Sequence, residues 1–325
     1  MTDRGFVSCF AEDLNKMIDL LVAAGGAEGT YLPRAKSFDR FCAKKALLNG
    51  ELTEALSQEW LEPIMKEKPQ VIHNRIAFLD GFAAYLKSMG KPATTLHNRF
   101  AAGRSFFVPY LFSDDELARI FRVIDANKEL GTPFQQMMFS VYFRLVYTCG
   151  LRPGESVRLK RKDVNLQTGE ILIELSKGHK SRIVVMSDDM CALATKYKAL
   201  LDISYPNTEY FFPGKKATKS DLRFYSKCFR LFWAAANPDI APEFLPRVRI
   251  YDLRHRFATA AIHRWLDRGE DINAKLPYLQ MYMGHKDVSH TAYYIHLLPE
   301  NLIRSKGVDW ESLNAVFPGV ELWQD

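Results

Sequence analysis

Closely spaced cysteine pairs are absent from this chain. Its five cysteines, Cys9, Cys42, Cys149, Cys191 and Cys228, are never nearer than 33 residues. An odd set with no Cys-x-x-Cys argues against a zinc ribbon and a disulfide framework, and implies reduced thiols. Long apolar runs are missing too. No stretch approaches the ~18 residues a bilayer span requires, and the most apolar one, Met17 to Ala24, is short and contains Asp19. The opening Met-Thr-Asp-Arg-Gly-Phe lacks the basic-then-apolar order of an export signal, so a cytosolic protein is expected. There is no Gly-x-x-x-x-Gly-Lys loop for a nucleotide phosphate. Carboxylates do not cluster, which leaves little support for a paired-carboxylate hydrolase or an acidic two-metal nuclease. No repeat and no low-complexity tract occurs.

What is present is the makeup of a globular protein: 325 residues, 47% hydrophobic and 25% charged. At ~150 residues per domain this length suggests two domains. The net charge of +6 is unevenly placed. From Gly150 to Ala260 there are 20 Lys or Arg against 12 Asp or Glu, so the rest of the chain is slightly acidic. A basic middle points toward a polyanion, although +6 alone is common in proteins that touch no nucleic acid.

Apolar residues at helical spacing mark Phe10 to Ala23, Tyr31 to Leu48, Thr53 to Lys66 and Val71 to Ser88, an all-helical first unit. A boundary is expected near Ala101 to Pro109. Ser113-Asp-Asp-Glu116 then reads as a capping box opening a helix to about Asn127, and Phe134 to Cys149 as a buried helix. Ser156 to Val164, Gly169 to Leu175 and Arg182 to Met186 are short and rich in Val and Ile, which predicts a three-stranded antiparallel meander. Helices are expected again at Asp188 to Leu201, Ser220 to Ala236, Leu253 to Leu266 and Pro277 to Met283, with Asp267 to Lys275 as a surface insertion.

Four features carry possible chemistry, and each has an ordinary alternative. Arg152 follows an apolar helix that ends at Gly150; an Arg there also simply suits the helix dipole. Lys177 sits at the tip of a hairpin turn, where a solvated charge is common. Arg254, in Tyr251-Asp-Leu-Arg-His-Arg256, is expected at a helix start, a place suited to cradling phosphate; a surface Arg is the alternative. Tyr282 to His296 holds three His and three Tyr. Spacings of five and six residues do not place His285, His290 and His296 on one helical face, so no metal site is expected.

Taken in order, Gly-Leu-Arg-x-x-Glu, the turn lysine, Asp-Leu-Arg-His-x-Phe-Ala and Gly-His followed nine residues later by Tyr, the chain resembles the tyrosine recombinase, or phage integrase, family. The resemblance covers roughly Val108 to Pro299. It implies a fold that is mainly α with a small antiparallel β-sheet, an α+β catalytic domain at 106–325. Ahead of it, at 1–105, it implies an all-α core-binding domain that clamps DNA. It also implies an oligomerisation segment from about residue 299. Position by position it implies catalytic roles for Arg152, Lys177, Arg254 and His285, with Tyr294 as nucleophile and Glu155 as support for Arg152. Tyr294 is preferred to Tyr293 because nine residues from the histidine is the usual family spacing. One departure stands out: Tyr251, kept in the catalytic set, occupies the position where the family usually has histidine, and a phenol with a reference pKa of about 10 is a poor base at neutral pH but can donate a hydrogen bond to phosphate.

The implied activity is site-specific strand cleavage and rejoining through a covalent 3′-phosphotyrosyl intermediate, for a phage or mobile element, with no cofactor and no metal. Double-stranded DNA is the implied partner, with a homotetramer on two sites, possible accessory DNA-bending or directionality factors, and a cytoplasmic, nucleoid-associated location. Lys160, Arg161, Lys180, Arg182, Arg247 and Arg249 are expected to contact phosphates. The competing expectations are a DNA-binding regulator with lost catalysis, which Tyr251 alone favours, and a type IB topoisomerase-like enzyme.

Overall fold

A computed structural model describes residues 2–47, 50–62, 69–94, 109–127, 131–174 and 181–297. Lys177, Lys180, the expected boundary at 105/106 and the segment from 299 onward lie outside the described residues. The chain divides into two compact units, Met1–Phe107 and Val108–Asp325.

The first unit contains α1 (Ala11–Ala23), α2 (Glu28–Lys44), α3 (Glu54–Leu61) and α4 (Pro69–Ser88). Thr53 caps α3 by accepting the Leu56 amide at 3.2 Å. Rings of Phe10, Phe38, Trp60, Phe78 and Phe82 meet between the helices, with centroids 5.2 to 6.2 Å apart. Edge-on and tilted aromatic packing of this kind stabilises beyond the area it buries.

In the second unit α5 (Asp114–Ala126) opens with the expected box: the Ser113 hydroxyl accepts from the Glu116 amide, and Glu116 accepts from the Ser113 amide. α6 (Pro133–Thr148) begins with a second box from Thr132 and Gln135. It buries residues around most of its circumference, including Phe139, Val141, Tyr142, Phe143 and Leu145, as a helix surrounded by others must. α5, α8 (Asp188–Ser204) and α10 (Ile250–Asp267) pack on it, and α9 (Leu222–Ala235) lies against α5 and α10. Mostly helical with one small antiparallel sheet, the fold is of the expected class.

Among the described residues the sheet has two strands, not three. β1 (Glu170–Ile173) pairs with β2 (Arg182–Val185) antiparallel, Ile171 opposite Val184. Ser156–Val164 instead forms the end of a one-turn helix α7 (Pro153–Ser156), a turn, and a 3-10 turn at Arg161–Asp163. Proline at the first helical position favours helix there. The backbone that follows bonds to a distant loop, Arg161 N to Glu209 O at 2.9 Å and Phe211 N to Leu159 O at 2.8 Å. Its pairing with β1 is an isolated bridge, Val164 to Ile171.

Two helix starts also differ. α10 begins at Ile250 because Asp252 accepts the Arg249 amide at 2.8 Å and closes the N-terminus there. Arg254 therefore lies more than a turn inside the helix, not at its start, and a cradle at the helix N-terminus is not what holds it. α11 (Ile272–Met283) is capped by Asp271, so most of the expected insertion is a short turn and the first turn of a helix. A four-residue helix α12 (Ser289–Ala292) follows. Among the described residues no helix is long and apolar enough to cross a membrane.

Candidate active site

Two helices end in left-handed glycines whose carbonyls hold arginines. α6 leads into Gly150 (φ 61°), and α11 ends at Gly284 (φ 64°). Neither can carry a side chain easily: a Cβ on Gly150 would lie 2.5 Å from the Phe257 ring, and one on Gly284 3.0 Å from the Arg182 guanidinium. Arg254 Nη1 donates to Gly150 O at 2.6 Å, and Arg152 Nη2 donates to Gly284 O at 2.5 Å. Each helix end thus positions an arginine from elsewhere in the chain.

Arg152 stands just before α7. Its Nη1 donates to Glu155 Oε1 at 2.8 Å, and its backbone amide donates to the other oxygen at 2.9 Å. Arg182, on β2, meets the same carboxylate through two nitrogens at 3.0 and 2.7 Å, and donates from Nε to Tyr282 O at 2.8 Å. Burial opposes charge on Glu155, but the two guanidinium groups outweigh it and hold its pKa down at about 2.

Arg254 is fully buried. Its Nη2 donates to Met283 O at 2.6 Å and to His285 Nε2 at 3.1 Å, and its Nε has no hydrogen-bond partner among the described residues. No carboxylate bonds it among those residues. Arginine only donates, so His285 accepts at Nε2. The proton is then on Nδ1, which donates to the Thr291 hydroxyl at 2.7 Å. Burial, then the Arg254 and Arg152 charges, press the His285 pKa down to about 3, so the ring is neutral.

Tyr294 is 2% exposed. Its ring stacks on His285 with centroids 6.0 Å apart. Burial lifts its pKa to about 12 against the pull of Arg254 and Arg152. Tyr293 is partly exposed, its ring centroid 6.3 Å from that of Tyr294. Tyr251 lies half-buried on α10 with the Arg254 guanidinium 6.0 Å from its ring centre. Arg152, Arg254, His285, Tyr251 and Tyr294 are therefore gathered in one place, while Lys177 is outside the described residues.

The expected phosphate contacts scatter. Lys160 pairs with Glu209 at 3.0 Å. Arg161 is tied to Asp202 and to the Pro206 carbonyl. Arg182 is inside the site on Glu155, with its side chain 9% exposed. Arg247 is exposed, Arg249 is exposed but bonded to Asp252 at 2.9 Å, and Lys180 is not among the described residues.

One residue of the site was not anticipated. His255 Nδ1 lies 3.2 Å from the Tyr294 hydroxyl, and its ring centre is 5.0 Å from that of Tyr251. The signal was its place four residues after Tyr251, hence on the same helical face.

Comparison with known proteins finds the phage integrase family over residues 112–301. A provisionally named integrase/recombinase y4rE of Sinorhizobium fredii is 26% identical over 295 residues, covering 89% of this chain and 92% of that protein. Tyrosine recombinase XerD of Rickettsia bellii is 25% identical over 283 residues, covering 82% and 86%. The crystal structure of a lambda integrase tetramer bound to a Holliday junction is similar in fold, with a TM-score of 0.61 at 16% identity, covering 90% of this chain and 78% of that one.

Proposed function

Because this chain belongs to the phage integrase family, we propose that it is a site-specific tyrosine recombinase that cuts and rejoins double-stranded DNA through Tyr294. The observation that carries this is Arg254: a buried guanidinium held by carbonyls, with no carboxylate on it among the described residues, beside a buried phenol. A buried cation is costly without an anion. A phosphodiester supplies one, placed where Tyr294 can attack it.

Arg152 and Arg254 bind the nonbridging oxygens and neutralise the charge that builds on them in the transition state. Tyr294 Oη forms a bond to phosphorus as the bond to the 5′-oxygen breaks, which keeps the phosphoester bond for rejoining. The leaving 5′-oxygen needs a proton, and Lys177 is the proposed general acid. His285 meets a phosphate oxygen once Nε2 carries a proton, a change that a bound anion favours. Glu155 and Arg182 fix Arg152. The helical first unit is proposed as a second DNA-contacting body, and the 299–325 segment as the assembly element of a homotetramer, by analogy with the tetrameric lambda integrase. Service to a mobile element, accessory factors and nucleoid association belong to the same proposal.

The test is a duplex carrying the inverted repeats that flank the gene, nicked just beyond the cleavage point so that religation fails. Wild type traps a covalent protein–DNA adduct, Tyr293→Phe does too, and Tyr294→Phe does not. An adduct that survives in Tyr294→Phe and vanishes in Tyr293→Phe moves the nucleophile. Binding with no adduct from wild type replaces the enzyme with a DNA-binding regulator.

A further inference from the structure

We propose that His255, not residue 251, takes the proton from Tyr294 when the tyrosine attacks DNA. This rests on the recombinase reading above and adds a catalytic residue to it.

The geometry starts from a deficit. The nucleophile's phenol must lose its proton as it bonds phosphorus, and the side chain at 251 is itself a phenol. Arg152, Arg182 and Arg254 cannot accept a proton, being donors throughout. His285 has both ring nitrogens engaged, Nε2 by Arg254 and Nδ1 by Thr291. Among the described residues, His255 is the base whose ring nitrogen meets the Tyr294 hydroxyl. Its Nδ1 is 3.2 Å from Tyr294 Oη, within the reach required of a general base. In the proposed tautomer the imidazole proton is on Nε2, so that Nδ1 accepts from the protonated Tyr294 hydroxyl.

The surroundings keep that nitrogen able to accept. Burial, with the Arg249 and Arg254 charges, holds the His255 pKa down at about 4, so the ring is neutral at physiological pH. A neutral ring beside a phenol near pKa 12 does not ionise it at rest. Transfer belongs to the transition state, when the bond to phosphorus strips the phenolic oxygen of its basicity. Tyr251 then has a different part. It packs against the His255 ring, 5.0 Å between centroids and tilted by 54°, and fixes the direction of Nδ1.

The step balances. The Tyr294 Oη–phosphorus bond forms and the phosphorus–O5′ bond breaks. The phenolic proton goes to His255 Nδ1, and the departing O5′ takes a proton from the general acid. In rejoining, an incoming 5′-hydroxyl bonds phosphorus and gives its proton to that acid's conjugate base, and His255 returns its proton to Tyr294.

The experiment measures single-turnover adduct formation by the full-length protein on the nicked duplex. One version of the duplex has the natural O5′. The other has a 5′-bridging sulfur, whose thiolate leaves without a proton. The variants are His255→Ala, His255→Gln and Lys177→Ala. Removing a general base slows the step about 100-fold or more. His255→Ala and His255→Gln are expected to be slow on both duplexes with DNA binding retained, and added imidazole is expected to restore His255→Ala in proportion to its concentration. Lys177→Ala is expected to be slow on oxygen and restored by sulfur. Wild-type rates in either His255 variant overturn the proposal, as does a His255→Ala defect that imidazole leaves unchanged, or one that sulfur repairs. In each of these cases a wild-type adduct that disappears in Tyr294→Phe leaves the recombinase reading standing.

Discussion

Glu155 is the residue on which the cationic side of the site depends. One carboxylate of 4% side-chain exposure joins two guanidinium groups that come from different elements, Arg152 before α7 and Arg182 on β2. Removing one member of a buried ion cluster leaves the others uncompensated, which costs about 3–5 kcal/mol. Glu155→Gln keeps the volume and one acceptor but removes the charge, so a loss near the lower end, about 3 kcal/mol, is expected. For a domain of this size that is a fall of roughly 6–12 °C in Tm, checked by calorimetry. Adduct formation falls with it because Arg152 loses its orientation, while DNA affinity set by peripheral lysines changes less. Glu155 and Arg152 stand three residues apart and were readable together as a motif. Arg182 was readable only as a basic residue beside a basic turn. Its burial depends on a carboxylate 27 residues away and the Tyr282 carbonyl, neither of them a sequence neighbour.

At the scale of elements, helix ends do more than stop helices. The Gly284 carbonyl at the end of α11 carries Arg152, the Met283 carbonyl carries Arg254, and Gly150 after α6 carries Arg254 from the other side. Gly284→Ala forces a side chain into left-handed backbone at a cost of about 1–2 kcal/mol and sets its Cβ 3.0 Å from Arg182. The expected result is modest destabilisation in urea, with a larger proportional fall in adduct formation than in DNA binding, because the displaced atoms hold both arginines. Local signals made these elements legible. The Ser113 cap, the Gly150 stop and the apolar period of α6 act within a turn or two of chain. One misread element depends on remote partners, and another on an uncommon local cap. Ser156–Val164 has strand-like composition, yet its backbone bonds go to Glu209 and Phe211, so β-propensity was overridden by tertiary pairing. The start of α10 was misplaced because its closing pair is Arg249 and Asp252, an unusual capping combination. With the helix begun at Ile250, Arg254 moves from the surface to the centre of the unit, and His255 moves with it to the nucleophile.

For the whole molecule, burial of histidines beside the arginines that favour DNA makes the free protein sensitive to acid. Two histidines of the site are held neutral, His285 at about 3 and His255 at about 4. His263, half-buried near Arg256, is lowered as well. In the unfolded chain each binds a proton near the reference value of about 6.5. Between that value and the folded one the unfolded state holds more protons, so folding stability rises with pH across this window and is lost as pH falls through it. At pH 5 each fully neutral histidine removes about 2 kcal/mol relative to pH 7.5. Glu155 acts in the same direction but lower. Its depressed pKa contributes stability above about 4.5 that disappears as pH falls toward about 2. Urea unfolding at pH 7.5 and 5.0 should therefore show a clear loss at the lower pH, and the double variant His255→Gln/His285→Asn should lose less, since two of the groups that drive it are gone. A duplex bound at the site should blunt the wild-type loss. Its phosphate provides the negative charge that Arg254 lacks and lets the histidines accept protons without leaving the fold. Equal pH dependence in wild type and the double variant would place the acid sensitivity outside the site.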